Sequence, residues 1–472
     1  MTKNNSIKYI NTSYSIILFF LGLYYGKIRS ELFDGADRLY EAIAFKNNYF
    51  AHYRFSTTLN GIIPWIVANI HDNPQWVLYA FILNYSLTPF VFFLIFRYYF
   101  KDEYLVTLYL VGLTLFYTII FFHSNHDALF AYYYTIVLYA FLKKSTTNQK
   151  YYYYLFFICI LLAFTHQTII PSVVLLLLYL KFYQKINYPL FKSLGLLSIA
   201  LIIKIFIFSN SYEIGIYSEM TDFKSRFFSL FHSPLIKTFF TSFYSINIVV
   251  TIVFLINFFV ILKSKNKELL GIIILHIIIN LLFIAFFFQD YPYVFATEGY
   301  LKGSTLLLSI VFLDYFLFNS FYSLKVRSFG LMTIYSLTLI LIMINGLNYL
   351  IYFNNIRKMA SKLEQNTLYI SPDAQKTEQY FILHRQSALM NLTEANKCYY
   401  FQYSTDTTEY LNLVMNRDIN DNKFCFGAKP IIKTPDVATK RVLDTQFDLI
   451  FDLTNLGKRI NYKRYIYHSD KK

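Results

Sequence analysis

Long apolar segments separated by short polar ones occupy the first 353 residues of the chain. A helix that crosses a bilayer needs about 20 apolar residues, and fewer where neighbouring helices shelter it. This pattern predicts an all-α polytopic membrane protein with about eleven transmembrane helices. The predicted spans are 9–26, 76–98, 104–122, 128–142, 151–165, 168–183, 193–209, 243–262, 269–288, 304–320 and 331–353.

The segment between the first two spans, residues 27–75, is predicted to be one long extracytoplasmic loop that carries two surface helices. Leu39, Ile43 and Phe50 recur at near-helical spacing, which indicates an amphipathic helix on the membrane surface. The charged residues on its other faces are Asp37, Arg38, Glu41 and Lys46. A second surface helix is predicted over 58–70, which contains Pro64.

Lysine and arginine residues predict how the chain is oriented, because cytoplasmic loops of membrane proteins are rich in them. Basic clusters fall in every second loop and define one face together with Lys3 and Lys8. The clusters are Arg97/Lys101, Lys143/Lys144/Lys150, Lys181/Lys185/Lys192, Lys263/Lys265/Lys267 and Lys325/Arg327. The N-terminus is therefore predicted to be cytoplasmic. Lys27 and Arg29 oppose this assignment but are outnumbered.

Residues 354–472 have the composition of a water-exposed domain, and an odd number of spans places that domain outside the cytoplasm. We expect a small α/β or α+β fold, with a helix over 355–365 and strands over 397–404 and 446–453. Cys398 and Cys425 could form a disulfide there, because oxidation is permitted outside the cytoplasm. A cytoplasmic domain would keep both thiols reduced.

Composition supports the membrane assignment: 56% of the residues are hydrophobic and only 15% are charged. One soluble core could not bury such an excess without leaving large apolar patches in water. The net charge of +15 comes from the clusters between apolar runs, so it is interpreted as membrane topology. No nucleic-acid partner is predicted, and the lipid bilayer is the first expected partner.

The order of a first span, a long outside loop with an early acidic residue and many further spans resembles the GT-C class of glycosyltransferases. The matching residues are Phe33-Asp34-Gly35-Ala36-Asp37-Arg38-Leu39-Tyr40-Glu41-Ala42 and Ile62-Ile63-Pro64-Trp65. The resemblance covers roughly residues 9–353. It implies an enzyme of the bacterial inner membrane that moves a sugar from a polyprenyl-phosphate donor to a lipid-linked or cell-surface glycan on the extracytoplasmic face.

Two other functions stay open. The segment Leu162-Ala163-Phe164-Thr165-His166-Gln167-Thr168-Ile169-Ile170-Pro171 is similar to part of the membrane polysaccharide polymerases, which join lipid-linked repeat units. A transporter of lipid-linked glycans would carry out no chemistry at all. It should show internal repeats and polar groups at mid-membrane depth, whereas the sequence shows no clear repeat and few such groups.

Glycosyl transfer needs a carboxylate near the acceptor hydroxyl to act as general base. The candidates are Asp34, Asp37 and Asp127, all in predicted outside loops. Asp34 is equally suited to cap a helix, and Asp37 could complement the helix dipole. Asp127 could simply belong to the tight turn between two spans.

Positive groups would stabilise the charge that grows on the departing phosphate. The candidates for substrate binding are Arg38, Arg54, Lys237, Lys302 and His166. Each lysine or arginine could instead be an interfacial anchor at a span end, and His166 could be a turn residue. His123 and His126, with Asp127, have the residue types that suit a divalent cation, although their spacing matches no defined site. No cofactor is otherwise predicted.

Overall fold

A computed structural model of the chain describes the predicted helical region in several ranges. The continuously described residues are 5–31, 61–71, 73–122, 127–143, 149–165, 170–186, 189–208 and 323–360, with strands at 367–371, 399–403 and 431–433. Isolated positions are also described between 38 and 59 and between 253 and 314.

Ten α-helices form within these ranges, and two of them continue into a π-helical turn. They are α1 (Asn5–Tyr24), α2 (Gly26–Glu31), α3 (Ile62–Ile70), α4 (Pro74–Leu94, with a π-helical turn over Ile95–Tyr99), α5 (Glu103–Ile120), α6 (Asp127–Lys143), α7 (Gln149–Ala163), α8 (Ile170–Leu178, with a π-helical turn over Tyr179–Tyr183), α9 (Leu190–Ile207) and α10 (Leu324–Ala360). Helices cover eight of the eleven predicted spans, which confirms the helical character of this region.

Three helical stretches are long and apolar enough to cross a membrane: Pro74–Tyr99, Leu190–Ile207 and Lys325–Ile351. Shorter apolar stretches are Glu103–Thr118, Leu129–Lys143, Tyr152–Ala163 and Ser172–Tyr183. Together they indicate a membrane protein. The number of eleven spans stays a prediction, because 243–262, 269–288 and 304–320 lie outside the continuously described residues.

Helix α5 is the centre of the described helices. It packs against α1, α4, α6 and α10, and every side chain from 105 to 118 is buried. Its first turn is capped by Asp102, whose carboxylate accepts hydrogen bonds from the backbone N–H groups of Tyr104 and Leu105. We name the two ends of the described helices by the two ends of α5.

Helices α1 and α2 approach α4 closely where the sequence has two glycines four positions apart. A Cβ atom added at Gly22 would lie 2.8 Å from the Ser86 Oγ atom, and one added at Gly26 would overlap the Ile82 side chain. Small residues at this spacing let two apolar helices come close together, as in membrane helix pairs.

The basic clusters near residues 8, 97 and 143 lie at the end where α5 begins, which we call the basic end. The guanidinium of Arg97 donates to the backbone oxygen of Lys8, at 3.2 Å, and pairs with Glu103 in the first turn of α5. The Lys143 ammonium, at the end of α6, lies 3.5 Å from the Asp102 carboxylate. The side of a membrane that this end faces stays a prediction.

Lys204 is the buried cation of α9, with 1% of its surface exposed. Its ammonium donates to the backbone oxygen of Phe208, at 3.1 Å. A cation is favourable at a helix C-terminus, where carbonyl groups lack partners along the helix.

Helix α10 has 37 residues, a length of about 55 Å, so it is longer than the hydrocarbon core of a bilayer, about 30 Å. The predicted domain boundary after residue 353 therefore lies within one continuous helix. The helix predicted separately over 355–365 is in part the end of α10.

Three short strands follow, β1 (Thr367–Ser371), β2 (Tyr399–Tyr403) and β3 (Ile431–Lys433). They pair in the order β2-β1-β3, with both pairs parallel. Strand β2 lies within the predicted strand 397–404, whereas the predicted strand 446–453 falls outside the described residues. The C-terminal α/β or α+β domain stays a prediction.

Candidate functional site

Arg29 lies at the end of α5 that is opposite the basic end. Its side chain is only 3% exposed although it is charged. The Nε–H group donates to the backbone oxygen of Phe121, at 2.8 Å, and the guanidinium lies 4.4 Å from the centre of the Phe121 ring. One residue therefore joins α2 to the C-terminal end of α5 through a hydrogen bond and a cation–π contact.

A small, partly open crevice with a cavity volume of about 10 Å³ lies beside Arg29 between α1, α4 and α5. Its polar lining consists of Arg29 and the hydroxyl groups of Ser15, Ser86 and Tyr117, and the remaining lining is apolar. We call it the Arg29 crevice. A cation beside hydroxyl groups is a set of residues that suits a phosphate, although the crevice itself has room for only about one water molecule.

The same end of α5 is adjacent in the chain to both loops that carry the predicted acidic residues. Asp34 follows Arg29 by five residues, and Asp127 follows Phe121 by six. The Arg29–Phe121 contact therefore joins the end of α2, which precedes the first of these loops, to the end of α5, which precedes the second.

Asp127 is the first residue of α6, so its backbone begins a helix, where a carboxylate is favourable. Since six residues span at most about 20 Å, its backbone lies within that distance of the Phe121 backbone. The other predicted acidic residues, Asp34 and Asp37, lie outside the described residues.

The burial of Arg38 contradicts one prediction. The sequence placed it on a charged face of a surface helix, whereas its side chain is only 8% exposed, and its neighbour Leu39 is fully buried. An arginine is rarely buried to this extent unless its charge is compensated, and Arg38 does interact with other groups of the protein.

The remaining predicted site residues lie outside the described residues. They are Arg54, Lys237 and Lys302 for phosphate, His123, His126 and His166 among the histidines, and the cysteines Cys398 and Cys425. Within the described ranges no group of three or more His, Cys, Asp or Glu side chains could hold a metal ion. The divalent-cation prediction therefore stays untested.

A second polar cluster lies at the basic end, around Asp314. One carboxylate oxygen accepts a hydrogen bond from the Tyr104 hydroxyl at 2.6 Å. The other accepts from the Tyr179 hydroxyl at 2.6 Å and from the Gln184 amide at 2.8 Å. Three charge-assisted hydrogen bonds therefore join the segment of Asp314 to the start of α5 and the end of α8.

A third polar cluster joins α1 to α5 and α10. Asn11 is fully buried, and its amide donates to Glu103 and Thr107, each at 2.8 Å. The Tyr335 hydroxyl of α10 donates to the Asn11 oxygen at 3.0 Å. The amide therefore satisfies polar groups of two other helices, as a buried polar side chain requires.

Sequence reasoning missed Arg29 as a candidate, because it was counted only as a loop charge that opposed the predicted orientation. A signal was present in the sequence. Gly22 and Arg29 are seven positions apart, which puts them on the same face of a continuous helix. A small residue below an arginine on one face makes room for the long side chain to fold back along the helix.

No protein-family model, no curated protein and no solved structure matches this chain. The described helices define the class of the protein: it is a helical protein whose apolar helices suit a bilayer, and an arginine is buried at the end opposite the basic end.

Proposed function

We propose that the protein is an integral membrane glycosyltransferase of the GT-C type. It moves a sugar from a polyprenyl-phosphate donor to a lipid-linked or cell-surface glycan on the extracytoplasmic face. The Arg29 crevice is the observation that carries this proposal. It groups a buried cation with hydroxyl and apolar side chains, the residue types that a lipid phosphate contacts, at the end of α5 that adjoins both acidic loops in the chain.

The proposed base comes from the loops that adjoin this crevice in the chain. Asp34 and Asp37 follow Arg29, and Asp127 follows Phe121, the residue to which Arg29 is bonded. A carboxylate in either loop accepts the proton of the acceptor hydroxyl, and Arg29 stabilises the charge that develops on the departing phosphate. Arg38, also buried, is a second cation for that phosphate.

The experiment changes Asp34→Asn, Asp127→Asn and Arg29→Gln one at a time in the native host. Surface-glycan composition is measured together with the amount of protein in the membrane. Loss of one sugar or branch with the protein still present supports the transferase. Lys325→Gln, which removes an exposed charge at the start of α10, is the matched control. Tyr117→Phe removes one hydroxyl group from the crevice. It tests the same site with a smaller change if the Arg29→Gln variant does not fold.

The alternatives give different results. A polysaccharide polymerase predicts shorter glycan chains in variants of arginine or histidine residues such as His166, while Asp34→Asn has no effect. A transporter of lipid-linked glycans predicts that all glycan at the surface falls together, with no change in the composition of what remains.

A further inference from the structure

Helices α4 and α8 end in the same way. Each continues into a five-residue π-helical turn and one further αR residue, and each is then followed by a lysine with φ of 55°. The sequences of the two ends also correspond. Arg97-Tyr98-Tyr99-Phe100-Lys101 matches Lys181-Phe182-Tyr183-Gln184-Lys185 in the positions of its cations and of its first two aromatic residues. We call these the two lysine turns.

The left-handed backbone at these turns would normally favour glycine or asparagine, because a Cβ atom is strained there. Among the described residues other than glycine, positive φ occurs at Lys46, Lys101 and Lys185. Both turn lysines are exposed. A charged side chain is therefore kept at two positions where glycine would fit the backbone better.

Exposed aromatic side chains accompany each lysine. Tyr98 is 68% exposed in the first turn, and Phe182 is 54% exposed in the second. Tyrosine is enriched where a bilayer meets water, and phenylalanine is among the residues that interfacial helices bury at the boundary of headgroups and acyl chains. Each turn thus presents an aromatic ring suited to the headgroup level and an ammonium group beside it.

Asp314 joins the two turns. Its carboxylate accepts from Tyr104, which is three residues after Lys101, and from Gln184, which directly precedes Lys185. The acidic neighbour of Lys101 is engaged elsewhere, because Asp102 caps α5 and pairs with Lys143. The two lysine turns are therefore fixed at the basic end by hydrogen bonds that leave their ammonium groups at the surface.

We propose that the two lysine turns form a binding site for the phosphate of anionic phospholipids at the basic end. The ammonium groups of Lys101 and Lys185 contact the headgroup phosphate, and the exposed aromatic rings lie beside the glycerol and upper acyl region. The site needs no glycosyl transfer, so it stands whether or not the proposed enzymatic function holds.

The test titrates the full chain, in micelles of a neutral detergent at low salt, with phosphatidylglycerol and separately with phosphatidylcholine. Bound lipid is counted by native mass spectrometry. The double variant K101G/K185G should bind phosphatidylglycerol roughly thirty-fold more weakly and phosphatidylcholine unchanged, since each lysine near the surface strengthens anionic-lipid binding several-fold. K101R/K185R should retain binding, because the charge is kept.

The matched control is Lys8→Gln with Lys325→Gln, which removes two other exposed charges of the same predicted basic face. Equal weakening in this control would overturn the proposal, because binding would then follow net charge alone. Competition by inorganic phosphate at the concentration of the lipid would also overturn it, since the site would then take a free anion. K101G/K185G should unfold at the wild-type temperature or above. A lower unfolding temperature would mean that the two lysines stabilise the fold, which would contradict a role in lipid binding alone.

Discussion

The Nε–H group of Arg29 donates a 2.8 Å hydrogen bond to the backbone oxygen of Phe121, whose ring also lies 4.4 Å from the guanidinium. The carbonyl is near the end of α5, where the helix leaves its last oxygens without partners along the helix. Arg29 therefore acts as a C-terminal cap from a different helix, and it does so with its charge buried.

Replacing Arg29 with lysine should destabilise the protein by about 1–3 kcal/mol. Lysine keeps the charge but lacks the planar group that both donates to the carbonyl and stacks on the ring. The measurement is thermal unfolding of the purified protein in detergent. Phe121→Leu keeps the backbone acceptor and removes only the ring, so a larger loss from Phe121→Leu than from Arg29→Lys would contradict the importance of the hydrogen bond.

Gly22→Ala should destabilise the contact between α1 and α4 by about 1–3 kcal/mol, the usual cost of an added methyl group in a well-packed core. The new Cβ would lie 2.8 Å from the Ser86 oxygen and 3.0 Å from the Arg29 Nη1 atom. Gly195→Ala in α9 is the matched control, because a Cβ there meets nothing within 4 Å. The control should raise stability slightly, since alanine favours helices. The same unfolding temperature for both variants would refute the close contact.

The helices were predictable from sequence because each depends on a local property, the length of an apolar run. Helices α5 and α6 begin within one residue of the predicted spans. The π-helical turns were not predictable, since no proline or glycine marks them. They differ from the α-helix in backbone hydrogen bonds that join residues five apart, such as that from Phe100 to Ile95, at 3.1 Å.

The polar clusters could be predicted only in part. Asp314 is visible in the sequence as a rare ionisable residue within a predicted span, which suggests a special environment. Its partners Tyr104 and Tyr179 are 210 and 135 residues away in the chain. No periodicity connects residues at such separations, so only the packing of the helices reveals the contact.

Tyr335→Phe should destabilise the protein by about 1 kcal/mol or slightly more. The change removes the hydrogen bond to the buried Asn11 oxygen and keeps the aromatic ring, which stacks on Tyr14 with centroids 3.8 Å apart. Tyr153→Phe is the control, because that side chain is exposed and its change should have little effect. If Tyr335→Phe costs the same in an Asn11→Leu background, the two groups do not interact in solution.

Asp314→Asn should destabilise the protein by about 1.5–3 kcal/mol, because the hydrogen bonds that join the start of α5 to the end of α8 are then no longer charge-assisted. The asparagine oxygen can still accept from Tyr179 and Gln184, so its amide group then faces the Tyr104 hydroxyl. That hydroxyl must change from donor to acceptor.

A double-mutant cycle of Asp314→Asn with Tyr104→Phe measures this reversal through thermal unfolding in detergent. Tyr104→Phe should cost about 1.5–3 kcal/mol in the wild-type protein and clearly less in the asparagine variant, a coupling in the range found for contacting residues. Two independent, additive costs would mean that the 2.6 Å contact between Tyr104 and Asp314 does not form in the detergent-solubilised protein. Tyr153→Phe again supplies the control, and it should show no coupling to Asp314→Asn.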